Sequence, residues 1–514
     1  VTPGGSFEMT DRVFPMSAIN GNAPPIQSEG GETPQGDDNS PSHPVSGTTS
    51  TRRILRDLIV ELMTSVHLPN LLQGISVGMR SSLIPIFGDA FGASDAVIGF
   101  MTAMAGVGRA STGVPAGKLT ARYGFTNVMI AGMLVNVVGA VIAAGALNWF
   151  MLGVANLIFG LGIGLFFTSR HVMLACVVDK SKRGRLMSII GGGERWSSVI
   201  GPTLGGLVIQ YVGCRACAAA VIPIVLLCVG CIVKSNRVRF LDEKYLTEQR
   251  IRRDLEIQEG VNPRSRSISA VFLEHWKLIT SVGFYAMNIL QLRACRKLML
   301  PLAALRAGLD ATTVGLVLSS SFAVDASLFF LGGMVMDKFG RKFAAIPTTT
   351  NLGIAFLLLS LSNSTASLFM VAVFFGIADS LGAGLLLTMN ADHAPKRVAA
   401  EFMGLMRVIQ DAGQLVGPLI AGWVSNVVSF QAACVFFGVL GLLNAVWAVI
   451  FLPTEAKGDM HELGIPSPAV QVVSQTQEKE DSRSQSFLFD IPRSRNAAIQ
   501  ATSLNSIRVQ FVWK

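Results

Sequence analysis

The sequence predicts an all-α integral membrane protein whose twelve transmembrane helices form two pseudo-symmetric six-helix bundles. Three observations carry this: a repeat at one fixed offset, an apolar composition, and apolar runs of membrane-crossing length. The run G-K-L-T-A-R-Y-G opens at Gly117, and G-M-V-M-D-K-F-G opens at Gly333, 216 residues later. The same offset carries Gly201-Pro202 onto Gly417-Pro418, Gly206 onto Gly422, Gly160 onto Gly376, Gly99 onto Gly315, Pro85 onto Pro301 and Arg80 onto Arg296. An offset that holds from residue 80 to residue 422 without insertion describes two copies of one architecture. Half the residues are hydrophobic and 15% are charged, against about a quarter charged in a globular domain. A soluble fold of this length could not keep so much apolar surface dry.

The apolar runs are about 20 residues long, the length a helix needs to cross roughly 30 Å of hydrocarbon. They fall near 66–90, 97–116, 126–147, 149–169, 186–209 and 215–234, then 277–301, 313–336, 343–362, 366–388, 402–425 and 431–452. The runs are continuous and do not alternate, which excludes a membrane β-barrel. The domain reading is an N-terminal bundle over 60–234, a central loop over 235–276 and a C-terminal bundle over 277–453. Polar tails at 1–55 and 454–514 read as disordered. Within the central loop, the alternating charges of 241–260 suggest a solvated or headgroup-level helix. The first residue is valine and the first methionine is Met9, so an incomplete N-terminus, with a targeting peptide ahead of it, stays an open alternative.

Basic residues set the orientation. Lys118 and Arg122 follow span 2, Lys180, Lys182, Arg183 and Arg185 precede span 5, Lys338, Arg341 and Lys342 follow span 8, and Lys396 and Arg397 precede span 11. The opposite loops hold only Arg215 and Arg306. The positive-inside rule then places both termini and the central loop in the cytoplasm, in a plasma or organelle membrane. The net charge of +9 is mostly this asymmetry, and it argues for anionic lipid headgroups and against nucleic acid as the basic face's neighbour.

Three apparent motifs are set aside. Cys214-x-x-Cys217 and Cys228-x-x-Cys231 resemble zinc pairs, but they lie largely in span 6, whereas a metal site needs thiolates converging from a turn. No metal or cofactor is expected. G-L-G-I-G at Gly160 to Gly164 sits inside span 4 with no preceding strand and reads as close helix packing. Asn363-Ser364-Thr365 is a sequon too near the membrane to be glycosylated.

The remaining motifs resemble the major facilitator superfamily, over about residues 60–453. The family's loop signature between helices 2 and 3, G-x-x-x-D-(R/K)-x-G-(R/K)-(R/K), stands nearly complete as Gly333, Asp337, Lys338, Gly340, Arg341 and Lys342. In the first half Gly117, Arg122 and Gly124 remain, while the acidic position is Ala121. The antiporter signature of helix 5 is present as G-P-T-L-G-G, with Gly201, Pro202, Gly205 and Gly206, although the upstream glycine positions are Ser188 and Ser197. The resemblance is nearest to the twelve-helix drug:proton antiporter-like branch. It implies a secondary transporter working by alternating access, not an enzyme, acting as a monomer on a small molecule with a coupling proton. The arginine that the branch carries on helix 4 is Asn156 here, so the proton path is expected to differ. The loop acid Asp337 is expected to meet a basic residue near the start of span 5, Arg185 being the nearest, and so to act as a gate.

Charges inside the spans are the functional candidates, because burying one costs roughly 2.5–3.5 kcal/mol even on permissive scales. They are Arg80, Arg109, Glu194, Arg195, Arg293, Arg296, Lys297, Asp325, Asp379, Arg407 and Asp411. Spans 3, 6, 9 and 12 carry none in their interiors. The offset pairs Arg109 with Asp325 and Arg195 with Asp411, positions of opposite sign that could form salt bridges across a cavity. Glu194, Asp325, Asp379 and Asp411 are candidate proton carriers, the first two foremost, and Arg80 and Arg296 are expected to line the cavity. The leading expectation is proton-coupled efflux of an amphipathic compound. Alternatives are an organic-anion transporter, as uniporter or proton symporter, which the basic excess favours, and a receptor that kept the fold without transport.

Overall fold

A computed structural model describes residues 67–177, 183–258, 272–393 and 399–452. The tails read as disordered lie outside the described residues, as do Lys180, Lys182, Lys396 and Arg397. The first half comprises α1 (Leu68–Ala90), α2 (Asp95–Tyr123), α3 (Phe125–Ala144), α4 (Trp149–Val177), α5 (Arg183–Val212) and α6 (Cys214–Lys234). A connecting helix follows, α7 (Asn236–Gln258). The second half holds α8 (Trp276–Arg306), α9 (Ala311–Phe339), α10 (Arg341–Ser360), α11 (Thr365–Leu381), α12 (Leu385–Asp392), α13 (Ala399–Val427) and α14 (Phe430–Phe451).

The repeat is visible in the turns. Gly92 and Gly308 end the first helix of each half at φ +66° and +72°, and Gly124 and Gly340 join the second and third helices at +88° and +96°. Side chains rarely adopt that conformation, so the two copies turn where they keep glycine. Within the first half α1 packs on α5 and α6, and α4 on α2 and α3; the halves meet along α5 with α9 and α2 with α13. The helices without interior charge, α3, α6, α10 and α14, turn residues such as Val138, Leu227, Leu358 and Leu443 outward. Such faces suit lipid, whereas the charged helices surround the centre. Both cysteine pairs lie on α6 and start 14 residues apart, about 21 Å along one helix, so they cannot converge on a metal.

The small-residue motifs are packing surfaces. A Cβ on Gly160 would stand 2.3 Å from the Ala105 carbonyl oxygen, so only glycine lets α4 approach α2 this closely. The Gly-Pro motifs seal one end of the seam between the halves, and they do so twice. A Cβ on Gly315 would meet the Pro202 oxygen at 2.4 Å, and one on Gly99 would meet the Pro418 oxygen at the same distance. Gly206 lies against Ala311 and Gly422 against Asp95, again related by the repeat. Arg306 on α8 binds Asp95 on α2, which also accepts from Ser425 on α13. This closed end is opposite the end that carries the basic corners. Toward the basic end, Gly113, Gly117, Gly193, Gly333 and Gly404 face open space.

Two elements differ from the sequence reading. Span 10 is not continuous: it breaks between α11 and α12 at Gly382 to Gly384, with Gly384 at φ +77°. The connecting helix starts at Asn236 and is not simply solvated. Its Val238 and Asp242 are buried, and Tyr245 meets the Phe125 ring at 5.9 Å. Asp242 accepts hydrogen bonds from the backbone N–H groups of Phe125 and Thr126, at 2.7 and 3.3 Å. Its carboxylate therefore sits at the start of α3, where the macrodipole favours a negative charge. The degraded corner of the first half thus keeps a carboxylate, supplied from α7 and not from position 121.

Candidate functional site

A cavity of about 500 Å³ lies between the halves. Its charged lining brings together Arg109 of α2, Glu194 and Arg195 of α5, Arg293, Arg296 and Lys297 of α8, Asp325 of α9 and Asp379 of α11. Phe322, Leu290 and Pro418 supply apolar wall. Such a volume suits a drug-sized molecule.

Each carboxylate has an arginine. Arg195 binds Asp325 across the α5–α9 seam. Across the α2–α13 seam, Arg109 Nη2 lies 3.9 Å from Asp411 Oδ1, and Gln414 joins them, accepting from Arg109 at 2.9 Å and donating to Asp411 at 3.2 Å. Arg407 Nε donates to the same carboxylate at 3.1 Å. The four residues that the offset singles out thus meet at the seams, but with exchanged partners: the offset pairs Arg109 with Asp325 and Arg195 with Asp411, whereas each arginine binds the other's counterpart. Asp379 takes Arg293 on one oxygen and Arg296 on the other, at 2.5 and 3.0 Å. Arg293 Nη2 also donates to the Gly382 carbonyl at 3.1 Å, which gives the broken end of α11 a cation where its dipole is negative.

Arg80 does not line the cavity, contrary to expectation. It is buried inside the first half, donating to the Ser76 carbonyl at 3.1 Å and lying 4.1 Å from the Phe159 ring centroid. Its repeat partner Arg296 donates to the carbonyl of Phe375, the counterpart of Phe159, and reaches Asp379. The position equivalent to Asp379 is Ile163, so Arg80 has the same aromatic neighbour without the acid. The loop acid Asp337 lies at the corner between α9 and α10. Its side chain is 85% exposed and its ionic partner among the described residues is Arg341 at 4.0 Å, within the same corner. Arg341 in turn donates to Asp392 at 2.9 Å. The side chain of Arg185 lies outside the described residues.

Sequence reasoning missed Arg170. The predicted span 4 stopped at residue 169, but α4 runs on to Val177, and Arg170 is buried there. It binds Asn70 on α1 and reaches Glu194 Oε2 at 3.1 Å. The only signal was its place one residue past an apolar run. Helix 4 therefore does bring a buried arginine to the site, far along the helix from Asn156, whose amide donates to the Met101 carbonyl at 2.7 Å.

Two helical halves around a charged central cavity, faced by apolar outer helices, define a multi-pass membrane transporter. The chain belongs to the Major Facilitator Superfamily, whose sequence profile matches residues 69–292 and 294–501, and this is a family of transporters, not of enzymes. Among its relatives, the MFS-type transporter SLC18B1 of Mus musculus is 24% identical over 467 residues, covering 84% of this chain and 92% of that protein. The multidrug resistance protein MdtH of Shigella flexneri is 22% identical over 343 residues, 66% of this chain and 80% of that one. The fold matches the inward open conformation of the xylose transporter XylE from E. coli with a TM-score of 0.59 at 14% identity, over 77% of this chain and 97% of that one.

Proposed function

We propose that this protein exports a small amphipathic compound in exchange for protons, by alternating access. The basic end faces the cytoplasm, following the positive-inside rule, so the described conformation opens inward. The observation that carries the reading is the seam itself: Arg195 with Asp325 and Arg109 with Asp411 join opposite halves across the cavity. Bonds of this kind hold one conformation and must rearrange in another, which is what a switching transporter requires. That one relative is a multidrug resistance protein supports the reading of efflux.

Glu194 and Asp325 are the leading proton carriers. Each is a carboxylate at the cavity held by one arginine, so taking up a proton would release that arginine and loosen a contact between elements. A flux assay in proteoliposomes, with and without a pH gradient, tests both levels. Wild type is expected to accumulate substrate only with the gradient, whereas Glu194→Gln or Asp325→Asn keeps substrate exchange and loses accumulation. Full pH-driven accumulation in both amide variants would move the proton to Asp379 or Asp411, and gradient-independent flux in the wild type would refute coupling.

A further inference from the structure

The repeat provides an internal control on which charges the fold itself requires. Helix α8 carries Arg293, Arg296 and Lys297 where α1 carries Val77, Arg80 and Ser81. Arg296 has its counterpart in Arg80, and Arg293 is accounted for by Asp379 and the Gly382 carbonyl. Lys297 has neither a counterpart nor a described counterion. It is exposed on the cavity wall, and no described carboxylate lies within the 4.0 Å of an ion pair. Glu194 is engaged by Arg170, Asp325 by Arg195, Asp379 by Arg293 and Arg296, and Asp411 by Arg407 at 3.1 Å. The Lys297 ammonium stands 5.8 Å from the Phe322 ring centroid, and the same ring lies 4.8 Å from the Arg296 guanidinium.

We infer that Lys297 is the seat of a negative charge on the transported compound, so that the cavity takes organic anions: a carboxylate or similar acidic head on an apolar body. This rests on the transport reading above and narrows its substrate class. A cationic compound entering here would find every described cavity carboxylate already matched and a free ammonium facing it, a like-charge contact that rejects it. A neutral compound would bury that ammonium without compensation. An anion meets both needs at once, with its apolar body against Phe322, Leu290 and Pro418. Lysine suits the role better than a second arginine pair would, because a single flexible point charge accepts differently shaped acidic heads.

The test uses three analogues with one body: 4-phenylbutyrate, 4-phenylbutyramide and 4-phenylbutylamine, with binding to the purified full-length protein read as a concentration-dependent shift in melting temperature. The carboxylate is expected to bind at least tenfold more tightly than the amine. Lys297→Gln should abolish that preference, Lys297→Arg should retain it, and Lys297→Glu should reverse it toward the amine. Equal behaviour of the three compounds, including no binding by any, overturns the inference, and so does an undiminished carboxylate preference in Lys297→Gln. Carboxylate binding through Lys297 without pH-driven flux in proteoliposomes would instead refute the proton-coupled reading and leave the anion seat standing.

Discussion

Arg195 on α5 binds Asp325 on α9, and the 216-residue offset converts this pair into Asp411 and Arg109, which face each other across the other seam. The architecture is symmetric but the charge is not: at both seams the arginine belongs to the first half and the aspartate to the second. A second half identical to the first, with arginine at both positions, would place like charges opposite each other. Inverting the sign at both positions in one copy turns two repulsive contacts into two attractive ones.

This arrangement predicts rescue by exchange. Arg195→Asp alone leaves two carboxylates opposed on the α5–α9 seam and is expected to reduce transport by tenfold or more. The pair Arg195→Asp with Asp325→Arg restores the bond with its direction reversed and should recover a substantial part of the activity. Flux measured at matched expression decides it; a double variant as poor as the worse single would mean that each group acts on substrate and not on its partner.

Arg80 and Arg296 separate a buried charge of the scaffold from a charge of the site. Arg80 touches Phe159 and a backbone carbonyl, so Arg80→Met, which keeps the length and apolar contact, should leave folding and transport largely intact, since replacing a buried charge by a hydrophobe of similar volume is often neutral or better. Arg296→Met removes one of two guanidinium groups from Asp379 and should abolish transport while surface expression stays near wild type. Transport lost equally in both variants would place Arg80 in the transport cycle.

The architecture was legible because a membrane imposes a length on every apolar run and the duplication checks each assignment against its copy. The four seam residues were legible in part: subtraction relates Arg109 to Asp325 and Arg195 to Asp411, but the bonds run between Arg195 and Asp325 and between Arg109 and Asp411, because each seam joins non-equivalent helices. What one dimension could not show was the direction of a side chain. Arg80 and Arg296 are indistinguishable along the chain, and only the exchange of Asp379 for Ile163 on a neighbouring helix separates them. Arg170 was lost to a boundary drawn one residue short. The contact of Asp242 with α3 joins residues 117 positions apart, and no periodicity records it.

That contact should be pH-dependent. Burial pushes the Asp242 carboxyl above its ordinary range, against the opposing pull of hydrogen bonds from Thr126 and Phe125. A value raised in the folded state means that folding binds the proton more tightly, so the contribution is fully present below the unfolded value near 3.8 and is lost as pH rises through the folded one. The melting temperature of wild type, relative to Asp242→Asn, should therefore fall as pH increases across that window and be level above it. A difference that instead grows with pH would show that the backbone hydrogen bonds to the carboxylate outweigh its desolvation.

The loop acid of the second half should act on the conformational equilibrium and hardly on this conformation. Here Asp337 is exposed, and its ionic partner among the described residues is Arg341, at 4.0 Å, so losing its charge is expected to remove little while the basic end is open. A stronger partner is expected to be gained when that end closes. A charge-assisted hydrogen bond contributes about 1.5–3 kcal/mol, enough to change a population ratio by roughly tenfold or more. Asp337→Asn is thus expected to shift the protein toward the conformation open at the basic end. A cysteine introduced as Gly113→Cys reports it, because that position on α2 faces open space in this conformation. Its labelling by a membrane-impermeant maleimide applied to the basic side should become faster in the Asp337→Asn background. An unchanged rate would make the corner a structural turn and place the gate on the seams, with Arg195 and Arg109.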